Sequence, residues 1–211
     1  IRTQYSLGRA HAAQHSQVLI ACFLQSPGIK IVAPATPKDA KGLLKSAIRD
    51  DDPVIFVEAA SLYRMRGEVP GGEYLVPIGK CDVKREGSDV TLIGVSRTVP
   101  LCLEAAKILK EKGIDVEVID LMTIQPIDYD TIVESLEKTH RLVIAEDSVK
   151  TGGVSSEISA YVTEHHFDSL KAPIIRVNSP PMPVPFSPPL EQEYMVDVGK
   201  IVRAVEKIVS R

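Results

Sequence analysis

His15 stands in the phrase Ala12-Ala13-Gln14-His15-Ser16-Gln17, flanked by an amide and a hydroxyl. Imidazole titrates closest to neutrality of the unperturbed side chains, so it can donate or accept a proton, and such neighbours fix its tautomer and orientation. His11 lies one helical turn earlier, the spacing at which two ring nitrogens share a helix face. The zinc-protease helix needs a Glu beside its first His, where this chain has Ala12, and two ligands without a third do not make a zinc site. From residue types alone, His15 is either a proton-handling group or an ordinary surface histidine. His11 reads as a surface or capping residue.

A second candidate is Arg49-Asp50-Asp51-Asp52. Adjacent carboxylates repel unless solvent or a cation relieves them, and the helix ending here leaves carbonyls near Ala47 and Ile48 without donors. Oxygens converging on one loop suit a hard cation, although composition alone favours a solvated acidic turn. Two features further along also merit weighing. Thr151-Gly152-Gly153 precedes a helix and reads as an anion seat or as a plain turn. Glu146-Asp147 ends a strand, where open α/β sheets place ligands or partners. No Gly-x-Gly-x-x-Gly follows a strand, which argues against a dinucleotide site.

These groups need elements to position them. Thr36, Pro37 and Asp39 form a helix start, with Thr36 as N-cap and Asp39 completing a capping pattern. Ala40, Leu43, Leu44, Ala47 and Ile48 then make one apolar face. Each large side chain fully buried there is worth ~1.5–3 kcal/mol. Pro53 stops the helix by Asp52. Val54–Val57 follows as a continuous apolar run, the mark of a strand covered on both faces. Upstream, Val18–Leu24 reads as a buried helix and Ile29–Val32 as a short strand. Ser61–Gly72 reads as a surface linker.

From Asp89 onward strands and helices alternate. Strands are expected at Val90–Val95, Val116–Leu121, Leu142–Ala145 and Ile174–Val177. Helices are expected around the stripe Leu101, Ala105, Ile108 and Leu109 (closed by Gly113), at Asp128–Lys138, at Val154–Phe167, and around Val198–Val209. The alternation implies a mainly parallel sheet with helices on both faces. The division drawn is residues 1–75 for a first, partial domain, 76–87 for a linker and 88–211 for a complete second domain.

Composition narrows the class. A net charge of −3 with no Lys/Arg cluster argues against nucleic acid as a partner. No apolar run reaches the ~20 residues of a membrane-spanning helix. Cys22, Cys81 and Cys102 are widely spaced and odd in number, which reads as reduced thiols inside a cell. Six of the 15 prolines crowd into Pro180–Pro189, a local extended segment.

Six phrases occur in a characteristic order: Ala12–Gln17, Asp39–Glu58, Glu73–Lys80, Glu86–Ile93, Val116–Asp128 and Lys138–Gly153. Together they resemble the beta subunit of the thiamine-diphosphate-dependent 2-oxoacid dehydrogenase component, nearest to the pyruvate dehydrogenase kind. The resemblance covers essentially the whole chain. It implies an α/β fold in which a partial pyrimidine-binding domain precedes a transketolase C-terminal-type domain with a mainly parallel sheet. It further implies oxidative decarboxylation of pyruvate and acetyl transfer to a lipoyl group. The partners implied are an alpha subunit in an alpha2-beta2 assembly and the peripheral-subunit-binding domain of the dihydrolipoyl acyltransferase.

By the same resemblance, His15 faces the reacting end of thiamine diphosphate and is the catalytic residue of this chain. The carboxylate that activates the cofactor's aminopyrimidine is implied upstream of Ile1 and is not Glu58. Magnesium and the diphosphate are implied to belong to the alpha subunit. A structural potassium ion, or another monovalent cation, is implied at the carbonyls of Ala47 and Ile48 with Asp50 and Asp52, where the family often has Asn in place of Asp52. The family's glycine-rich approach to the histidine is reduced here to Gly8, so the backbone path into the site is expected to differ. Two alternatives accompany this reading: a non-catalytic docking module for the acyltransferase core, and a branched-chain 2-oxoacid dehydrogenase or transketolase-like relative. Bacterial cytoplasm, plastid and mitochondrial matrix all suit such a protein.

Overall fold

The computed structural model describes all residues, Ile1–Arg211. The chain forms two sheets. The first has the order β1-β3-β2-β7, built from β1 (Arg2–Tyr5), β2 (Lys30–Val32), β3 (Val54–Ala59) and β7 (Thr123–Gln125). β1, β3 and β2 run parallel, while β7 pairs antiparallel with β2. The second sheet has the order β4-β6-β5-β8-β9, from β4 (Asp82–Arg85), β5 (Val90–Gly94), β6 (Val116–Asp120), β8 (Leu142–Val149) and β9 (Ile175–Ser179). It is parallel except for β4 at its edge.

Alternation along the parallel strands sends side chains to two helical layers. Leu92, Val118 and Val143 pack with α3 (Thr98–Glu111) and α7 (Val198–Val209). Ile93, Ile119 and Ile144 pack with α4 (Tyr129–Thr139) and α5 (Val154–His165) on the other face. This second layer continues into the first sheet through Tyr5, Leu7, Ile31 and Ile55. One core therefore joins both sheets.

Helix α2 (Pro37–Arg49) begins as its residues dictate: Thr36 Oγ1 accepts the Asp39 N–H at 3.2 Å and donates to Asp39 Oδ2 at 2.6 Å. Leu43 is fully buried against Val32, Phe56 and Val76, but Ile48 is 75% exposed. The apolar stripe thus reaches further than the surface available to cover it. Helix α3 likewise buries Val99, Cys102, Ala105, Ala106 and Leu109, leaving Ile108 outside the core.

Other elements differ from expectation. Val18–Leu24 is not a buried helix but a short 3-10 turn, Ile20–Phe23. Val18 and Ile20 are buried while Leu19 and Phe23 are exposed, so the burial alternates rather than following a helical face. Asp82–Arg85, read as linker, is an edge strand. β7 leaves the second half of the chain and completes the first sheet, a crossing that no local pattern announces.

Candidate functional site

Helix α1 (Ala12–Ser16) carries His15. Ser6, just beyond β1, donates its N–H to His15 O at 2.9 Å, so the strand end and the short helix are fixed to one another. The ring is exposed and borders two clefts. One, about 270 Å³, is shared with Gln4, Tyr5, Ser6 and Gln14. The other, about 580 Å³, is shared with Arg9, His11 and Phe186. His11 stands edge-on to His15, with ring centroids 6.2 Å apart. Ser16 is completely buried, and its hydroxyl has no partner in the chain.

The path into this helix is unusual. Gly8, Ala10 and Ala12 have φ of 88°, 55° and 55°, a region that alanine rarely adopts. A buried carboxylate holds the segment from below: Glu191, on α6 (Pro188–Tyr194), accepts the Gly8 N–H at 2.9 Å and the Ala10 N–H at 2.7 Å. Arg9 reaches back to Ala60 O at 3.0 Å.

Neither cleft is lined by a carboxylate. The residues present supply imidazoles, amides and hydroxyls, with the one guanidinium, Arg9, turned to Ala60 O, a set that fits proton handling and orientation at the reacting end of a cofactor. They do not make a diphosphate anchor or an aminopyrimidine activator. Glu58 lies elsewhere in the hydrogen-bond network, taking Arg2 Nε at 3.0 and 3.1 Å and the Tyr63 hydroxyl at 2.9 Å.

The acidic loop has a cation of its own. Lys30 Nζ lies 2.8 and 2.9 Å from the two Asp50 oxygens and 3.0 Å from Asp52 Oδ2. The pairing holds Asp50 below the ordinary carboxylate range and raises Lys30. Asp52 N turns to Asp50 Oδ1 at 2.9 Å instead of continuing the helix, and Pro53 has no N–H to offer. A further monovalent ion here would rest on main-chain oxygens such as those of Ala47 and Ile48, because the carboxylates are engaged by Lys30.

The other two candidates are structural. Glu146 sends its carboxylate into the N-terminus of α5, accepting Val154 N at 3.2 Å and Ser155 N at 2.8 Å. Of the two readings of Thr151-Gly152-Gly153, anion seat or plain turn, the amides that would hold an anion are taken by the chain's own Glu146. A Cβ on Gly153 would lie 2.4 Å from Glu146 Oε1, so the close approach requires glycine. Asp147 pairs with Arg97.

Sequence reasoning missed a buried charge cluster between the sheets. Lys84 Nζ, on β4, contacts Asp39 at 2.8 Å, Asp82 at 2.7 Å and Asp120 at 3.6 Å. Burial pushes Asp120 up to about 7 despite the nearby lysine, and one of its oxygens has no hydrogen-bond partner. Asp82, Lys84 and Asp120 lie on two strands that pair antiparallel; alternating charge on β4 was the available signal.

Comparison with known proteins places this geometry. The model of the transketolase C-terminal domain matches residues 79–201, and that of the transketolase pyrimidine binding domain matches residues 1–66. The chain belongs to the transketolase family. Among its relatives is the beta subunit of acetoin:2,6-dichlorophenolindophenol oxidoreductase of Bacillus subtilis, 49% identical over 96% of this chain and 59% of the relative. The pyruvate dehydrogenase E1 beta subunit of Porphyra purpurea is 45% identical over 100% of this chain and 63% of the relative. The 2-oxoisovalerate dehydrogenase beta subunit of Bacillus subtilis is 43% identical over 99% and 64%. The chain thus spans less than two thirds of the length of these relatives.

A solved split-gene transketolase, described as an inactive beta4 tetramer, superposes with a TM-score of 0.83 at 26% identity, covering 100% of this chain and 66% of that one. No helix is long and apolar enough to cross a membrane. The acetoin relative names a substrate class that the sequence reading did not weigh.

Proposed function

We infer that the chain serves as the beta-type subunit of a thiamine-diphosphate-dependent 2-oxoacid dehydrogenase component, with an alpha-type partner completing the site. The observation carrying this reading is His15: an exposed imidazole on a cleft of a pyrimidine-binding-type domain, in a chain whose relatives across nearly its full length include beta subunits of 2-oxoacid dehydrogenases. The description of the split-gene transketolase beta4 tetramer as inactive supports a site completed by another subunit.

Thiamine diphosphate, when bound, supplies the electron sink for decarboxylation. His15 then holds or delivers a proton at the reacting end, and Gln4, Gln14 and Ser6 orient what enters the cleft. Its solvent access lets the proton be renewed between turnovers. Magnesium and the diphosphate fall to the alpha-type partner. A potassium ion at the Ala47 and Ile48 carbonyls braces the turn into β3. The subunit's two domains are the one drawn as residues 1–75 and the one drawn as 88–211, the latter extended to take in strand β4.

Pyruvate is the substrate assigned, on the phrases Asp39–Glu58 and Lys138–Gly153, with acetyl transfer to a lipoyl group as the outcome. The protein, assembled with its alpha-type partner, thiamine diphosphate and magnesium, is tested against pyruvate, 3-methyl-2-oxobutanoate and acetoin with an artificial electron acceptor. The highest kcat/KM is expected for pyruvate. A preference for acetoin or the branched acid would reassign the substrate, and no turnover of any of them would overturn the reading.

A further inference from the structure

We propose that Glu191 is a positioning residue for His15, holding the segment Gly8–Ala12 in a backbone conformation that its alanines would not keep unaided. The proposal rests on the functional reading of His15 but has a readout independent of it.

Three observations converge. Ala10 and Ala12 both have positive φ, a region that disfavours any residue carrying a Cβ. Glu191 is 3% exposed, and each of its carboxylate oxygens takes one main-chain N–H of this segment, Gly8 at 2.9 Å and Ala10 at 2.7 Å. The segment leads directly into α1, whose His15 carbonyl is itself tied to Ser6. Hydrogen bonds to an ionised acceptor are stronger than neutral ones, and a buried carboxylate losing its donors is costly. The two costs oppose each other: relaxing Ala10 would leave Glu191 unsatisfied.

The arrangement also assigns a role to the proline-rich segment. Pro180–Pro189 delivers α6 from the second half of the chain to the underside of the His15 loop, with Met195 Sδ against Gly8. Glu191 is thus the point at which the C-terminal half sets the geometry of a site carried by the N-terminal half. Phe186, 71% exposed, borders the same cleft as His15.

The experiment compares the wild-type protein, Glu191→Ala, Glu191→Gln, Ala10→Gly and the double variant Glu191→Ala/Ala10→Gly, each in the complex with the alpha-type partner. Amide hydrogen exchange at Gly8 and Ala10 is followed first, with amides of the central strand β5 as the internal reference. Glu191→Ala should raise exchange in the segment ~10-fold or more without changing the reference. Glu191→Gln, which keeps one acceptor, should fall between. Glycine at position 10 removes the strain, so the double variant should recover at least half of the turnover that Glu191→Ala loses, with the loss appearing in kcat rather than KM.

Exchange unchanged in both Glu191 variants would overturn the proposal. So would a turnover loss that Ala10→Gly does not rescue, because support of α6 alone is indifferent to residue 10. If Glu191→Ala does not fold, Glu191→Gln and its Ala10→Gly double variant decide by the same two readouts. Wild-type protein that turns over none of the substrates would refute the functional reading, while the exchange result would still decide whether Glu191 holds the loop.

Discussion

Arg97 grips Asp147 through two nitrogens: Nε lies 2.7 Å from Oδ2, Nη2 meets Oδ1, and Nη2 also donates to Val196 O at 2.9 Å. The Tyr5 hydroxyl, from the first sheet, completes the group at 3.4 Å from Asp147 Oδ2. One ion pair therefore joins strand β8, the start of α3, the approach to α7 and the strand before the His15 loop. Its burial makes it sensitive to the loss of one partner rather than of both.

Replacing Arg97 with Met should destabilise the protein by about 3–5 kcal/mol, because Asp147 is left buried without a counter-charge. The double variant Arg97→Met/Asp147→Leu should cost less than Arg97→Met alone. Denaturant midpoints of the two variants measure this, and a double variant no more stable than Arg97→Met would contradict the unpaired Asp147 as the source of the loss.

Gly153→Ala brings a Cβ within 2.4 Å of Glu146 Oε1 and forces the carboxylate out of the α5 N-terminus. A loss of about 1–3 kcal/mol is expected, the cost of overpacking together with uncapped amides. Thermal unfolding with and without the substitution checks it; an unchanged midpoint would mean the cap is not closely packed.

Asp120 gives the stability a slope with pH. Its native value of about 7 lies above its ordinary 3.8, so the folded protein binds a proton that the unfolded chain has lost between these values. Its contribution is fully present below pH ~4 and is lost as the pH rises through ~7. Lys84, Asp39 and Asp82 surround it. Asp120→Asn should flatten this part of the pH profile and be relatively more stable at pH 8 than at pH 5. Parallel profiles for the two proteins would remove Asp120 as the source.

Lys30 separates two ways of neutralising the Asp50–Asp52 loop. Lys30→Met leaves the carboxylates without their ammonium, so the melting temperature should fall in tetramethylammonium chloride and recover in potassium chloride. The wild-type protein should respond less to the exchange of salts, since its carboxylates are already paired. A variant equally stable in both salts would place no cation at this turn.

The fold was legible where local chemistry repeats. Thr36, Pro37 and Asp39 specify the start of α2, and the apolar runs at Val90 and Val116 specify buried parallel strands because both sheet faces are covered. Ile48 and Ile108 were misplaced because periodicity tells which residues share a face but not how far the opposing surface extends. β7 was missed because its pairing with β2 joins residues distant in sequence. At the site, Gln14, His15 and Ser16 announced themselves by type. Glu191 did not: its role depends on α6 returning beneath a loop formed near the other end of the chain. The lysine facing Asp50 and Asp52 was equally hidden, lying on a neighbouring strand.

The most direct test of the account is substrate turnover by the His15→Ala variant in the complete complex with its alpha-type partner and thiamine diphosphate. Folding, partner binding and cofactor affinity should match the wild type, because the residue is exposed and outside the core. Lipoyl acetylation from pyruvate should fall by ~100-fold or more, the range that a positioned proton donor contributes. An undiminished rate in a correctly assembled complex would contradict the assignment of His15, and with it the site on which the functional reading rests.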